Sequence, residues 1–148
     1  MKQLDLILKE WEKDSPIDNS SLDETSRQTP MLHAKYLGLL ADAKIQKNRA
    51  EANQKTLLRD KWLYYNGKMD KDEVESRGWN YDPLDGRLVM KGDMNKYYDA
   101  DPDIQHSEEN VIAWKTVTET LTEIVNNLNW RHQTIGNMIR WRMFEAGS

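Results

Sequence analysis

The chain has 148 residues, 38% of them hydrophobic and 31% charged, with a mean hydropathy of -0.89 and a net charge of -4. That suits one domain with a modest core, built from helices or completed by neighbouring subunits. The lack of cysteine excludes a disulfide framework and a thiolate metal site, and with no apolar run near the roughly 20 residues that span a bilayer and no signal-peptide pattern after Met1, a soluble protein of a reducing cytoplasm is expected.

Residues 3–13 have the spacing of a short amphipathic helix, with Leu4, Ile7, Leu8 and Trp11 on one face and Asp14-Ser15-Pro16 as its stop. Ser21 and Glu24 form a capping-box pattern for a second helix. Pro30 breaks, kinks or restarts it, with Thr29 as a new N-cap. A long helix is then predicted over about 30–65. Gly67 after Asn66 reads as its C-terminal stop, and an Asn-Gly hairpin competes with that reading.

Residues 69–106 are the least regular. Asp82-Pro83-Leu84-Asp85-Gly86 is turn chemistry, and its flanks are compatible with a small hairpin. From Ser107, taken with Glu108 and Glu109 as a helix start, a 3–4 spacing runs through Val111, Trp114, Leu121, Val125, Leu128, His132, Ile135 and Ile139. This predicts a helix of roughly 35 residues whose apolar face is too broad for the preceding helices to cover. Val111, Trp114, Leu121, Val125, Leu128, Ile135 and Ile139 are therefore candidates for an oligomer seam. The fold class expected is mainly α, an elongated helical subunit assembling into a ring-like homo-oligomer.

Charge is unevenly spread. Residues 1–29 carry net -3, 30–68 net +5, 69–112 net -7 and 113–148 net +1. The basic block places Lys44, Lys47, Lys55, Arg59, Lys61 and Lys68 along one helix and its end, with Trp62, Tyr64 and Tyr65 between the last of them. Cations hold phosphates and aromatic faces stack on unpaired bases, so these lysines and Arg59, with Tyr64 as the stacking residue, are the nucleic-acid-binding candidates. A solvated charged face is the alternative. Arg59 and Lys61 are two residues apart and point away from each other on a helix, whereas Lys55 and Arg59 share a face. Which of Trp62, Tyr64 and Tyr65 is core stays open.

Other chemistry finds little support. His33, His106 and His132 lack metal-ligand spacing, so neither a metal nor a cofactor is expected. Asp99, Asp101 and Asp103 resemble the start of a calcium loop, but Ile104 stands where Gly is required and Asn110 where Glu is required. There is no phosphate-binding Gly loop and no nucleophile in a triad context. An enzyme is not expected.

Two stretches, Leu58-Arg59-Asp60-Lys61-Trp62-Leu63-Tyr64-Tyr65-Asn66-Gly67 and Arg142-Met143-Phe144-Glu145-Ala146-Gly147, resemble motifs of the UvsY recombination mediator family of T-even-type bacteriophages. Met31-Leu32-His33-Ala34-Lys35-Tyr36-Leu37 is similar to a third. The resemblance is weakest across 69–106, where this chain is longer. It implies a helical protein forming a hexamer or heptamer in the cytoplasm of an infected bacterial host. It further implies binding to single-stranded DNA, loosening of the phage single-strand-binding protein and loading of a UvsX/RecA-type recombinase. The family's DNA-binding cations map onto Arg59 and Lys61, with Asp60 where the family has Ala. The acidic 69–112 segment is a candidate partner-docking surface. A helical oligomeric scaffold without nucleic-acid binding is the alternative function.

Overall fold

The computed structural model describes residues 1–147; Ser148, which follows the carboxyl motif, lies outside them. Among the described residues six helices follow in order: α1 (Lys2–Asp14), α2 (Leu22–Tyr65), α3 (Lys71–Ser76), α4 (Met94–Ala100), α5 (Pro102–Asn129) and α6 (Arg131–Glu145). There is no strand among the described residues, and no helix among them is long and apolar enough to cross a membrane. The chain groups into two compact units, Met1–Lys47 with Ala113–Ser148, and Asn48–Ile112.

The first unit has its core where α1, the early part of α2 and the later part of α5 meet. Ile7, Tyr36, Leu40, Ala43, Val117, Leu121, Ile124, Val125 and Leu128 are buried together, flanked by Leu4, Trp11, Leu32, Leu39 and Trp114. Trp11 meets Tyr36 edge to face at 5.3 Å. The Tyr36 hydroxyl donates to Asp14 Oδ2 at 2.8 Å, and Lys35 Nζ lies 2.6 Å from the same oxygen. Burial pushes the Asp14 carboxyl up, but the Lys35 and Tyr36 hydrogen bonds outweigh it and hold it below its usual value. Buried Arg131 reaches back to the end of α1, its guanidinium donating to the carbonyls of Ser15 and Pro16 at 3.1 Å each. Arg142 of α6 likewise donates to the Asn19 carbonyl.

This packing changes the role expected for the seam residues. Leu121, Val125, Leu128 and Ile135 are buried inside the chain, Trp114 packs against that core, and Val111 is half-buried in the second unit. The short α1 supplies Ile7, Leu4 and Trp11 to this core, and α2 supplies Tyr36, Leu40 and Ala43. Of the seven, Ile139 alone stays exposed, and Trp141, Met143 and Phe144 beside it on α6 are exposed too.

Several boundaries also move. Pro30 lies inside α2, which runs through it unbroken; Thr29 is no N-cap, and its hydroxyl donates to the Thr25 carbonyl at 3.1 Å. The last helix starts at Pro102 rather than Ser107. Asp101 is its cap, Oδ1 accepting from the amides of Asp103 (2.9 Å) and Ile104 (3.1 Å), with Pro102 at the first helical position. It then breaks at Trp130, so one expected helix becomes α5 and α6.

The second unit contains residues 48–65 of α2, all of α3 and α4, and the first turns of α5. Gly67 ends α2 as expected. With φ +67° it sends its amide to the Tyr64 carbonyl (3.2 Å), while Lys68 N donates to Leu63 O (2.8 Å), the paired bonds of a Schellman cap. Gly78 (φ +73°) closes α3 the same way, and the Trp79 amide reaches the Val74 carbonyl at 3.1 Å. The expected hairpin does not form. Asp82, Asp85 and Gly86 all have positive φ, and Asp82 Oδ1 accepts the Gly86 amide at 2.7 Å, so the segment coils into successive turns instead of two strands.

Candidate nucleic-acid interface

The basic-aromatic stretch occupies the last turns of α2, and an α-helix spreads its residues around all sides. Lys55 and Arg59, one turn apart, both face solvent. The Arg59 side chain is 69% exposed. Lys61 points the other way: its side chain is 4% exposed, and its amine sits 3.0 Å from Asp101 Oδ2 and 2.9 Å from Asp103 Oδ2. The Trp79 ring lies beneath that amine, 3.9 Å to the centroid, with the Tyr64 ring at 5.3 Å. Lys61 is thus held inside the unit by two carboxylates and two rings, and its charge is not presented to solvent.

The aromatic candidates divide in the same way. Tyr64 is buried, its ring against Tyr65 and Trp79 and its hydroxyl donating to the Asn80 carbonyl at 2.6 Å, so its ring is not presented on the open surface. The Tyr65 hydroxyl donates to Asp101 Oδ2 at 2.6 Å. Burial pushes the Tyr65 phenol up, and the Asp101 charge adds to the shift. Trp62 is the ring that faces outward, with Lys68 Nζ 4.8 Å from its centroid. Lys44 and Lys47 belong to the part of α2 in the first unit, Lys44 exposed and Lys47 half-buried.

Asp60, the acidic residue between the two cations, is buried and bridges two arginines. Oδ1 accepts from Arg59 Nη2 (2.9 Å) and Nε (3.1 Å), and Oδ2 accepts from Arg77 Nη1 (2.7 Å). Burial raises the Asp60 pKa, yet the guanidiniums of Arg77 and Arg59 outweigh it, and the carboxyl titrates below its usual range. Arg77 is fixed further by Glu73 Oε1 at 2.8 Å and has its Cζ 5.2 Å from the Trp79 ring centroid. A guanidinium has five N–H donors, and Asp60 takes only one edge of Arg59. Asp60 thus sets the orientation of both Arg59 and Arg77. Sequence reasoning missed Arg77, which lies 17 residues from Asp60 in an acidic segment; its sole local signal was Glu73 at helical spacing.

The surface that results has Lys55, Arg59, Arg77 and the Lys68–Trp62 pair. Asp60 and Glu73 are paired with its two arginines, and Trp62 gives it one outward aromatic face. Residues 10–148 match the family described as "Recombination, repair and ssDNA binding protein UvsY". The chain belongs to the UvsY family. It is 25% identical over 145 residues to the recombination protein uvsY of Enterobacteria phage T4, covering 98% of each chain. Its fold is similar to crystal structures of the bacteriophage T4 recombination mediator protein UvsY. One has a TM-score of 0.79 at 25% identity, covering 96% of both chains. Another has 0.77 at 25% identity, covering 93% of this chain and 97% of that one. The mainly helical fold expected from the sequence is thus the UvsY fold, and the UvsY motif is the stretch whose outward side is Arg59 and whose inward side is Lys61.

Proposed function

We propose that this UvsY-family protein is a recombination mediator acting by binding rather than catalysis. It binds single-stranded DNA, weakens the hold of the phage single-strand-binding protein and loads a UvsX/RecA-type recombinase in the host cytoplasm. The observation that carries this is the Asp60 bridge: it fixes two guanidiniums beside the outward end of the family's motif. Fixed guanidiniums lose less freedom on meeting phosphate than mobile ones do.

Copies of the chain assemble through α6, where Ile139, Trp141, Met143 and Phe144 expose apolar surface and Trp141 stacks on Phe144 at 5.5 Å. One subunit's few cations release few counterions; an oligomer multiplies them, so DNA affinity grows with assembly and falls steeply with salt. Bending a strand around such an oligomer disfavours a competitor that needs it extended.

The test is recombinase filament growth on DNA already coated with the single-strand-binding protein. The wild-type protein shortens the lag, and a variant with Arg59→Ala and Arg77→Ala does not. An unchanged lag with wild-type protein that still binds bare strand would refute the mediator role.

A further inference from the structure

Beside the end of α2 the second unit holds a cavity of about 330 Å³ that the phosphate-binding surface does not account for. Tyr65, Asn66 and Gly67 from the Schellman cap line one side, and Tyr81, Arg87 and Leu88 from the coiled turns line the other. Pockets for small molecules run from about 300 to 1,000 Å³. This one is at the small end and suits a single planar ring system, not an extended ligand.

Its chemistry narrows the occupant. Tyr81 is 56% exposed and Leu88 80% exposed, so its rim keeps large apolar surfaces in contact with water. The Tyr65 ring is held in place by the bond to Asp101, and the Tyr81 ring has Lys71 Nζ 5.6 Å from its centroid. Asn66, whose amide donates to the Trp62 carbonyl at 2.8 Å, retains its side-chain carbonyl as an acceptor. Asp82 also lines the cavity, and Asp70 and Asp85 are close in sequence to its walls. Asp82 and Arg87 offset each other in the lining, so the cavity carries no excess charge to favour a phosphate over a neutral ring. Lys68, which directly follows Gly67, carries the exposed cation–aromatic pair with Trp62.

We infer that this cavity, walled by Tyr65 and Tyr81, receives an unpaired nucleobase of the bound strand, whose phosphates stay on the cations outside. The inference rests on the single-strand-binding reading and adds a base-dependent component to it.

Three equal-length strands read by anisotropy separate the components: oligo-dT, a fully abasic strand, and oligo-dT with one 5-iodouracil for photocrosslinking. The wild-type full-length chain should bind oligo-dT roughly tenfold more tightly than the abasic strand, within the range for stacking of one base. Tyr81→Ala, and separately Leu88→Ser, should reduce that ratio several-fold and leave the salt slope and melting temperature unchanged. Irradiation of the wild-type complex should crosslink Tyr81 or Tyr65. Equal binding of oligo-dT and abasic strand, or crosslinks confined to other residues, would overturn the base pocket while leaving single-strand binding intact. Binding of neither strand would overturn both.

Discussion

Lys61 Nζ and Asp101 Oδ2 lie 3.0 Å apart with both side chains almost fully buried, and this pair ties the end of α2 to the start of α5. Asp101 performs three tasks at once: it pairs with Lys61, accepts from Tyr65, and caps α5 through the amides of Asp103 and Ile104. One of the two cations expected from the sequence to meet DNA thus works inside the protein.

Lys61→Ala should therefore destabilise the fold first. It leaves the Asp101 carboxylate buried without its cation, which costs about 3 kcal/mol or more. Chemical denaturation checks this. Lys61→Met, which preserves the volume packed against Trp79 but not the charge, should be similarly destabilised. A Lys61→Ala protein as stable as wild type yet defective on DNA would show that Lys61 meets the strand directly.

The same network predicts sensitivity to acid. Burial pushes the Asp101 carboxyl up, but the bonds from Tyr65, Lys61 and Ile104 outweigh it, so its folded pKa is below the unfolded value. A depressed carboxylate contributes stability above its unfolded pKa of about 3.9 and loses that contribution as pH falls through the folded value. Asp14 and Asp60 are depressed likewise. Denaturation midpoints should be flat from pH 7 to 5 and fall below about pH 4. Asp101→Asn should be less stable than wild type at pH 7, with the difference shrinking in acid; a constant difference across that range would contradict the assignment.

These residues also show what the sequence could reveal. The period of α1 and the Asn66-Gly67 stop of α2 depend on local chemistry and were legible. The Asp101-Pro102 start of α5 was legible in principle, by the same cap-then-proline logic that failed at Thr29-Pro30. There the helix is already formed upstream and carries the proline through. Whether Lys61 faces inward was not legible, because its partners lie about 40 residues away and no local pattern distinguishes a buried lysine from a solvated one. Arg77 was hidden for the same reason. The apolar face of α5 was read correctly as a face, but its partner is α1 and α2 of its own chain.

Assembly should accordingly depend on α6 and not on the buried stripe. Replacing Trp141 and Phe144 with Ser should lower the mass measured by light scattering while helicity stays close to wild type. Leu121→Asp should instead unfold the chain, because it places a charge in the core of the first unit. Loss of helicity in the Trp141/Phe144 variant would place those rings in the fold of the subunit itself.

Gly67 has its own prediction. Its φ of +67° strains any residue with a Cβ, although no atom lies within 4 Å of where that carbon would be. Gly67→Ala should cost about 1 kcal/mol through the backbone alone. A neutral result in thermal denaturation would mean that the cap relaxes.

The most direct measurement is fluorescence anisotropy of labelled oligo-dT and of a matched duplex, titrated with salt, for wild type, Arg59→Ala, Arg77→Ala and Asp60→Asn. The wild-type protein should prefer the single strand. Each arginine variant should lose about tenfold in affinity, with a salt slope lower by roughly one for each subunit in contact with the strand. Asp60→Asn should also weaken binding, because it releases both guanidiniums from their fixed geometry. Unchanged affinity in both arginine variants, or tighter binding by Asp60→Asn, would contradict the claim that the Arg59–Asp60–Arg77 bridge forms the DNA-binding surface.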